Sequence, residues 1–409
     1  MTHHPERYHS LDFLRAAMMF LGIMLHGVLS FPETRIPFWP AWDVDRSPVA
    51  DFLIFVIHAF RMQTFFLLAG FFGCLLAERS GLWGLLKHRF ARIVVPFGLA
   101  LIIIQPILQA LWMLGNRDAL RAVGMPFDPD LPRAQMLEEH FLSGRFLGSI
   151  DPFHLWFLYF LIVFFLLIVP PMLLIRGRAA GYGRRLFRGL LQLRGRSIVL
   201  ALITMPFLWT MQLEGMVDTP NRWELPPNLL GYYFLFFAVG WLLWHDRDLL
   251  PTIGRRWPWG LALGNLVVLP VFLILMFARL DVMQQKSPPL GVGPTALLCF
   301  SAALFTWLML IGLIGMFQTC FTRERHWVRW AADASYWCYL WHMVPIIALQ
   351  ILLEQSPLPG LLKFAIIIGV SLALLLTSYQ WGVRYTAIGR LLNGRRARPL
   401  PPHDNEPRP

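Results

Sequence analysis

Charge is scarce in this 409-residue chain: 15% of its residues are Asp, Glu, Lys or Arg, against 56% hydrophobic. Soluble domains carry about 25% charged residues, so this composition excludes an ordinary water-exposed surface. Cysteine is scarcer still, and Cys74, Cys299, Cys320 and Cys338 all fall in or at the ends of apolar runs. With no CxxC pair, and no loop between runs holding two cysteines, neither a disulfide framework nor a zinc site is indicated. No internal repeat of the kind many transporters carry is visible. Nothing implies a metal or a redox cofactor.

What the chain has in abundance is apolar runs of about 20 residues, each long enough to cross a hydrocarbon core of roughly 30 Å. Unpaired backbone groups are too costly in lipid, so the runs read as helices and the fold class as an all-α, polytopic membrane protein. About ten spans are expected: Leu11–Ser30, Ala50–Leu76, Ile93–Leu114, Phe153–Ile175, Ser197–Leu213, Leu229–Trp244, Pro258–Ala278, Pro294–Cys320, Ser335–Leu353 and Leu361–Ala387. Residues 1–388 form one transmembrane domain, and the Arg- and Pro-rich residues 389–409 read as a disordered tail. The first run is too long, too weakly basic at its flank and too charged for a cleavable signal peptide.

The net charge of +12 invites a nucleic-acid reading, but its distribution excludes one. Lys and Arg lie in short connections on alternate sides. With the N-terminus inside, the inner segments hold 23 of them and the outer loops 9. Both termini are therefore expected to be cytoplasmic. The block Arg176–Arg196 has seven Arg and no acid, a topology determinant or an aid to binding a polyanion. "LWGLLKHRFAR" (Leu82–Arg92) suits the interface before the third span. The longest outer loop, Gly115–Pro152, is acidic overall, contains Glu138 and Glu139, and is a candidate lid or substrate-binding segment.

Ionisable side chains at membrane depth are costly and mark function by default. Arg15 and His26 are eleven residues apart, within about 20° of one helix face and roughly 16 Å along the axis. Asp12 is three residues from Arg15 and can pair with it on that face. Asp12 and Arg15 would lie near the cytoplasmic surface and His26 about two-thirds of the way across. His58 and Arg61 share a face near mid-depth of the second span. Asp151 and His154 open the fourth span at its outer boundary, and His342 sits roughly two turns into the ninth from the cytoplasmic side. Each has a plainer reading: a structural hydrogen bond for any one histidine, an interfacial ion pair for Asp12 with Arg15, an interface residue for His154. Arg61 is hardest to explain that way, because a buried guanidinium demands a cavity, a carboxylate or backbone carbonyls.

Four stretches, "RAAMMFLGIMLH", "FRMQTFFLLAGFF", "HLWFLYFLIVFF" and "SYWCYLWHMVP", resemble the membrane acyltransferase type 3 family across nearly the whole chain. One departure is visible: Ala69 stands where the family usually has Ser. Within the family, "YHSLDFLRAAMMFLGIMLHGVLSF" and the span layout look most like the glucan biosynthesis protein C group, whose members succinylate osmoregulated periplasmic glucans. The resemblance implies a protein of the bacterial inner membrane that moves an acyl group, here succinyl, from cytoplasmic acyl-CoA to a sugar hydroxyl on the far side. Its implied partners are acyl-CoA, an envelope glucan and the lipid bilayer, with no nucleic acid.

On that reading His26 is the general base and Arg61 and His58 complete the catalytic set. Arg15 and Asp12 hold the donor, while His154, Asp151, His342, Glu138 and Glu139 bind substrate or support the site. Arg61 either stabilises the oxyanion or pairs with the succinyl carboxylate. Direct transfer and an acyl-enzyme route both remain open. The alternative is an O-acetyltransferase of another cell-envelope polysaccharide or lipid-linked sugar, and a transporter or flippase is the rival from another class.

Overall fold

The computed structural model describes residues 8–174, 177–220, 222–322 and 326–394. Among these there are helices, turns and loops but no β-strand. Seven helices are long and apolar enough to cross a membrane, or up to nine if each of two bent pairs counts as one span. The expectation of an all-α, multi-span architecture holds at that level.

The first helix, α1, runs His9–Val28. Ser47 then caps α2 (Pro48–Arg89), its side chain accepting from Val49 N, with Pro48 at the first helical position where a missing N–H costs nothing. Residues Pro48–Leu114 run on as 67 helical residues, taking in a π-turn at Phe90–Val94 and α3 (Val95–Leu114). At 1.5 Å per residue that is about 100 Å, three times one crossing. The stretch breaks at Gly81, whose φ of 69° is open to glycine. The second and third expected spans lie on either side of this break. The interfacial segment expected at Leu82–Arg92 begins immediately after it, with Trp83 exposed.

Further along come α4 (Trp156–Leu167), α5 (Arg196–Trp209), α6 (Pro227–His245), α7 (Leu269–Met283) and α8 (Val292–Cys320). Helix α5 is bent by 115° from the basic helical segment Gly181–Gln192 that precedes it. Part of the basic block has structural partners: Arg188 bridges Asp246 and Asp248, and Arg196 donates to the carbonyls of Leu191 and Ile253. Helices α2 and α6 press backbone on backbone. A Cβ at Gly70 would collide with Phe237 O, and one at Gly240 with Leu67 O. Small residues permit such an approach between helices in lipid, where packing rather than water exclusion drives association.

The ninth expected span is two helices, α9 (His326–Trp341) and α10 (Met343–Leu353), bent by 59° at His342. The last long helix, α11, spans Gly360–Ser378. A short helix, Ala387–Asn393, continues past the expected domain boundary at 388, and Asn393 Nδ2 donates to Asp333 O. The remainder of the expected tail, 395–409, lies outside the described residues.

At the end of the bundle opposite the N-terminus, here the distal end, the α1–α2 loop is stapled to the start of α11. Lys363 and Asp43 form a fully buried ion pair at 2.8 Å. Gly360 N donates to Asp45 Oδ2, and Val44 N to Glu354 O.

Candidate active site

Beneath this staple lies a cavity of about 740 Å³ that reaches the surface at Glu33, Arg35 and Arg46. His26, His58, Arg61, His154 and His342 all line it. Helix α1 brings in His26, α2 brings His58 and Arg61, the residues just before α4 supply His154, and the α9–α10 bend supplies His342. Helix α9 begins at His326, ahead of the expected start at Ser335, and carries His342 at its far end, where its ring centre is 5.0 Å from that of His26 and 5.3 Å from that of His154.

Hydrogen bonds to carbonyls fix the tautomers of three of the four histidines, since a carbonyl oxygen only accepts. His342 Nδ1 donates to Tyr339 O at 2.7 Å, so a neutral ring presents its Nε2 lone pair. His154 Nε2 donates to Leu340 O at 3.0 Å and His58 Nε2 to Val217 O at 2.8 Å. His26 has no such tether, and its Nδ1 is buried without a hydrogen-bond partner among the described residues.

The backbone at His26 is held from outside its own helix. Gln350 on α10, itself buried, donates through Nε2 to the carbonyls of His26 and Gly27, each at 3.0 Å. Its Oε1 accepts from Trp39 Nε1 at 3.0 Å, and the Trp39 ring stacks on His26 with centres 6.0 Å apart. One amide thus sets both the helix end that carries His26 and the ring that covers it.

Arg61 is buried and forms no ion pair among the described residues, and its Nε has no hydrogen-bond partner there. Its guanidinium passes over Gly22, one turn of α1 before His26, where a Cβ would collide with Nη1. A buried cation without a counterion is strongly unfavourable. It is tolerable beside a wet cavity, and its natural complement is an anion arriving there.

The other expected residues stand apart. Asp12 and Arg15 pair at 3.1 Å near the N-terminal end of α1, away from the cavity, with Arg15 over the Phe72 ring. Glu138 and Glu139 sit on the short helix Arg133–Leu142, outside the cavity wall, and Glu139 pairs with Arg145 at 2.7 Å. Asp151 lines a separate groove. Sequence reasoning missed Trp39, Gln350 and Gly22. A glutamine inside "IIALQILL" was a usable signal, since an amide at that depth needs partners. Gly22 carried no signal.

One further cluster lies away from the cavity. Cys74, Glu78 and His245 gather near the α2–α6 ends as a group of metal-capable side chains. His245 uses both ring nitrogens, Nε2 at 3.4 Å from Cys74 Sγ and Nδ1 at 3.1 Å from Glu78 Oε1, so the three form a hydrogen-bonded chain.

A multi-span helical bundle with a histidine-lined cavity is the setting in which the comparisons fall. The acyltransferase domain family matches residues 8–379, nearly the whole chain, and the chain belongs to that family. It is a multi-span member of that family, with seven or more helices long and apolar enough to cross a membrane among the described residues. The chain is similar to Glucans biosynthesis protein C of Escherichia coli O6:K15:H31 (strain 536 / UPEC), 27% identical over 163 residues. That stretch covers 39% of this chain and 37% of the relative. No solved structure matches the chain.

Proposed function

We propose that the protein is a ten-span O-acyltransferase of the bacterial inner membrane with both termini cytoplasmic, moving a succinyl group from cytoplasmic succinyl-CoA to a hydroxyl of a periplasmic glucan. The observation that carries this reading is one cavity holding both an untethered His26 and an unpaired Arg61. The count of ten follows from splitting the 67-residue helical stretch at Gly81 and taking each bent pair as one crossing. The charge distribution supports the orientation, which makes the distal end periplasmic.

The transfer is written as a direct one. His26 accepts the proton of the acceptor hydroxyl as its oxygen attacks the thioester carbonyl. The resulting oxyanion collapses, the C–S bond breaks, and the departing thiolate of coenzyme A takes the proton from His26. General-base assistance of this kind contributes about 10²–10⁴ in rate. Arg61 supplies positive charge either to the oxyanion or to the free carboxylate of the succinyl group. The carbonyl tethers of His342 and His154 fix which ring nitrogen of each carries the proton, leaving the other nitrogen of each neutral ring as an acceptor beside His26. Arg15, with Asp12, lies about 16 Å from His26 along α1, a place for the anionic donor's cytoplasmic end.

The test supplies purified protein in vesicles with radiolabelled succinyl-CoA or acetyl-CoA on the cytoplasmic face and a periplasmic glucan fraction on the other. Label on the glucan from succinyl-CoA is the expected result. Label from acetyl-CoA alone would change the acyl group. Transfer from neither donor to glucan, lipid or peptidoglycan would move the reading to a transporter.

A further inference from the structure

The wall of the cavity has a second face. Phe153 and Val123 each have a second side, where they line a polar groove of about 680 Å³ built from the loop 123–151 and Arg222. The groove presents Asp151, Arg145, Arg222, Ser143 and Ser149, together with bare backbone at Gly144 and Gly148, where an added Cβ would meet nothing within 4 Å. Its volume falls in the range that binds small organic molecules, roughly 300–1,000 Å³.

Three observations mark the groove as constructed. Its loop is pinned to α3 by two buried glutamines: Gln109 Nε2 donates to Ser149 O at 2.9 Å and to Phe146 O at 3.2 Å, and Gln105 donates to Asp151 O. Gln109 is itself oriented by His140 Nε2, which donates to its Oε1 at 2.9 Å. Second, Phe153 has a φ of 42°, a left-handed conformation that is unfavourable for a bulky residue and is held only where the surroundings enforce it. That strained residue forms the partition between groove and cavity, its ring 4.9 Å from Trp112 of the cavity wall. Third, His154, next in sequence, belongs to the histidine cluster.

We infer that this groove is the binding subsite for a hydroxyl-rich saccharide chain, whose acceptor residue enters the cavity beside His26 while its neighbours run past Phe153 along Arg145, Asp151 and Arg222. The inference rests on the reading above that the acceptor is a sugar. The chemistry fits that class. A carboxylate accepts from paired hydroxyls, guanidinium groups donate to hydroxyl and ring oxygens, serines do either, and an aromatic face at the junction offers an apolar surface to a sugar ring. Both charge signs are present, so the groove suits a neutral polar chain better than a polyanion.

The experiment uses the full-length protein and two variants, Gly148→Trp, which fills the groove from an exposed position, and Asp151→Asn. Equilibrium binding of a gluco-oligosaccharide, free and in a second arm lipid-linked, is followed by ligand-observed NMR, and transfer is followed with the same oligosaccharide and with free glucose. Binding by the parent, weakened at least tenfold in Gly148→Trp, is expected, and Asp151→Asn should weaken it in the same direction. In Gly148→Trp the acceptor KM for the oligosaccharide should rise similarly, with donor KM and the rate on glucose unchanged. Binding that is absent in the parent, or equal in all three proteins, overturns the groove. Binding that is lost in Gly148→Trp while the parent transfers to no saccharide keeps the groove and removes the acyl-transfer reading instead. The two arms tell a soluble chain from one presented on lipid.

Discussion

The guanidinium of Arg61 crosses α1 at Gly22, one turn before His26, through a gap that exists because Gly22 has no side chain. The guanidinium and the His26 ring thereby line the same cavity. Gly22→Ala makes a methyl compete with the far end of a flexible side chain. The fold should adapt at a cost of about 1 kcal/mol or less, while the guanidinium is displaced. Acyl transfer is expected to fall at least tenfold with the unfolding temperature nearly unchanged, measured side by side on purified protein.

The two roles open to Arg61 separate by donor. If it meets the succinyl carboxylate, Arg61→Gln should cut kcat/KM for succinyl-CoA and spare acetyl-CoA. If it steadies the oxyanion, both donors should lose about the same factor, on the order of 10²–10³. Initial rates with the two donors decide.

Gln350 is the hub for the Trp39 indole and the carbonyls at the end of α1. Gln350→Leu leaves a buried indole N–H without its acceptor, which costs about 1–3 kcal/mol. The expected signature is a lowered unfolding temperature together with a lower kcat at nearly constant donor KM, because the base is loosened and the donor's contacts are not.

The staple above the cavity makes a stability prediction. Lys363→Met alone strands Asp43 in a buried site and should destabilise by about 3–5 kcal/mol. The double change with Asp43→Leu should recover most of that loss. Thermal unfolding in detergent reads both.

His140 carries a pH prediction. Burial, with Arg145 nearby, lowers its pKa below the ordinary value, so protonation favours the unpinned loop. Its contribution is complete above the unfolded value of about 6.5 and is lost as pH falls below it. Hydrogen-exchange protection factors of residues 143–151, corrected for the intrinsic rate at each pH, should fall on acidification, and His140→Gln should flatten that dependence.

Much of the site was legible because charge and imidazole at membrane depth stand out against an apolar background. His26, His58, Arg61, His154 and His342 all reach the cavity. Element boundaries were harder to read. Taking 335–353 as one straight span missed both the helical start at His326 and the 59° bend at His342. The helical run from Pro48 to Leu114 breaks at one glycine torsion, and the expected second and third spans fall on either side of it. Cys74, Glu78 and His245 come together only by tertiary packing, and no spacing in the sequence announces them. Gly22 acts through an absent side chain, so only the structure reveals it.

The most direct test of the central claim is the single-turnover rate of acyl transfer in His26→Ala against the parent, at matched folding and with donor binding measured separately. The account predicts a loss of about 10²–10⁴ with donor binding retained. A rate within threefold of the parent would remove His26 as the base and with it the mechanism argued from this cavity.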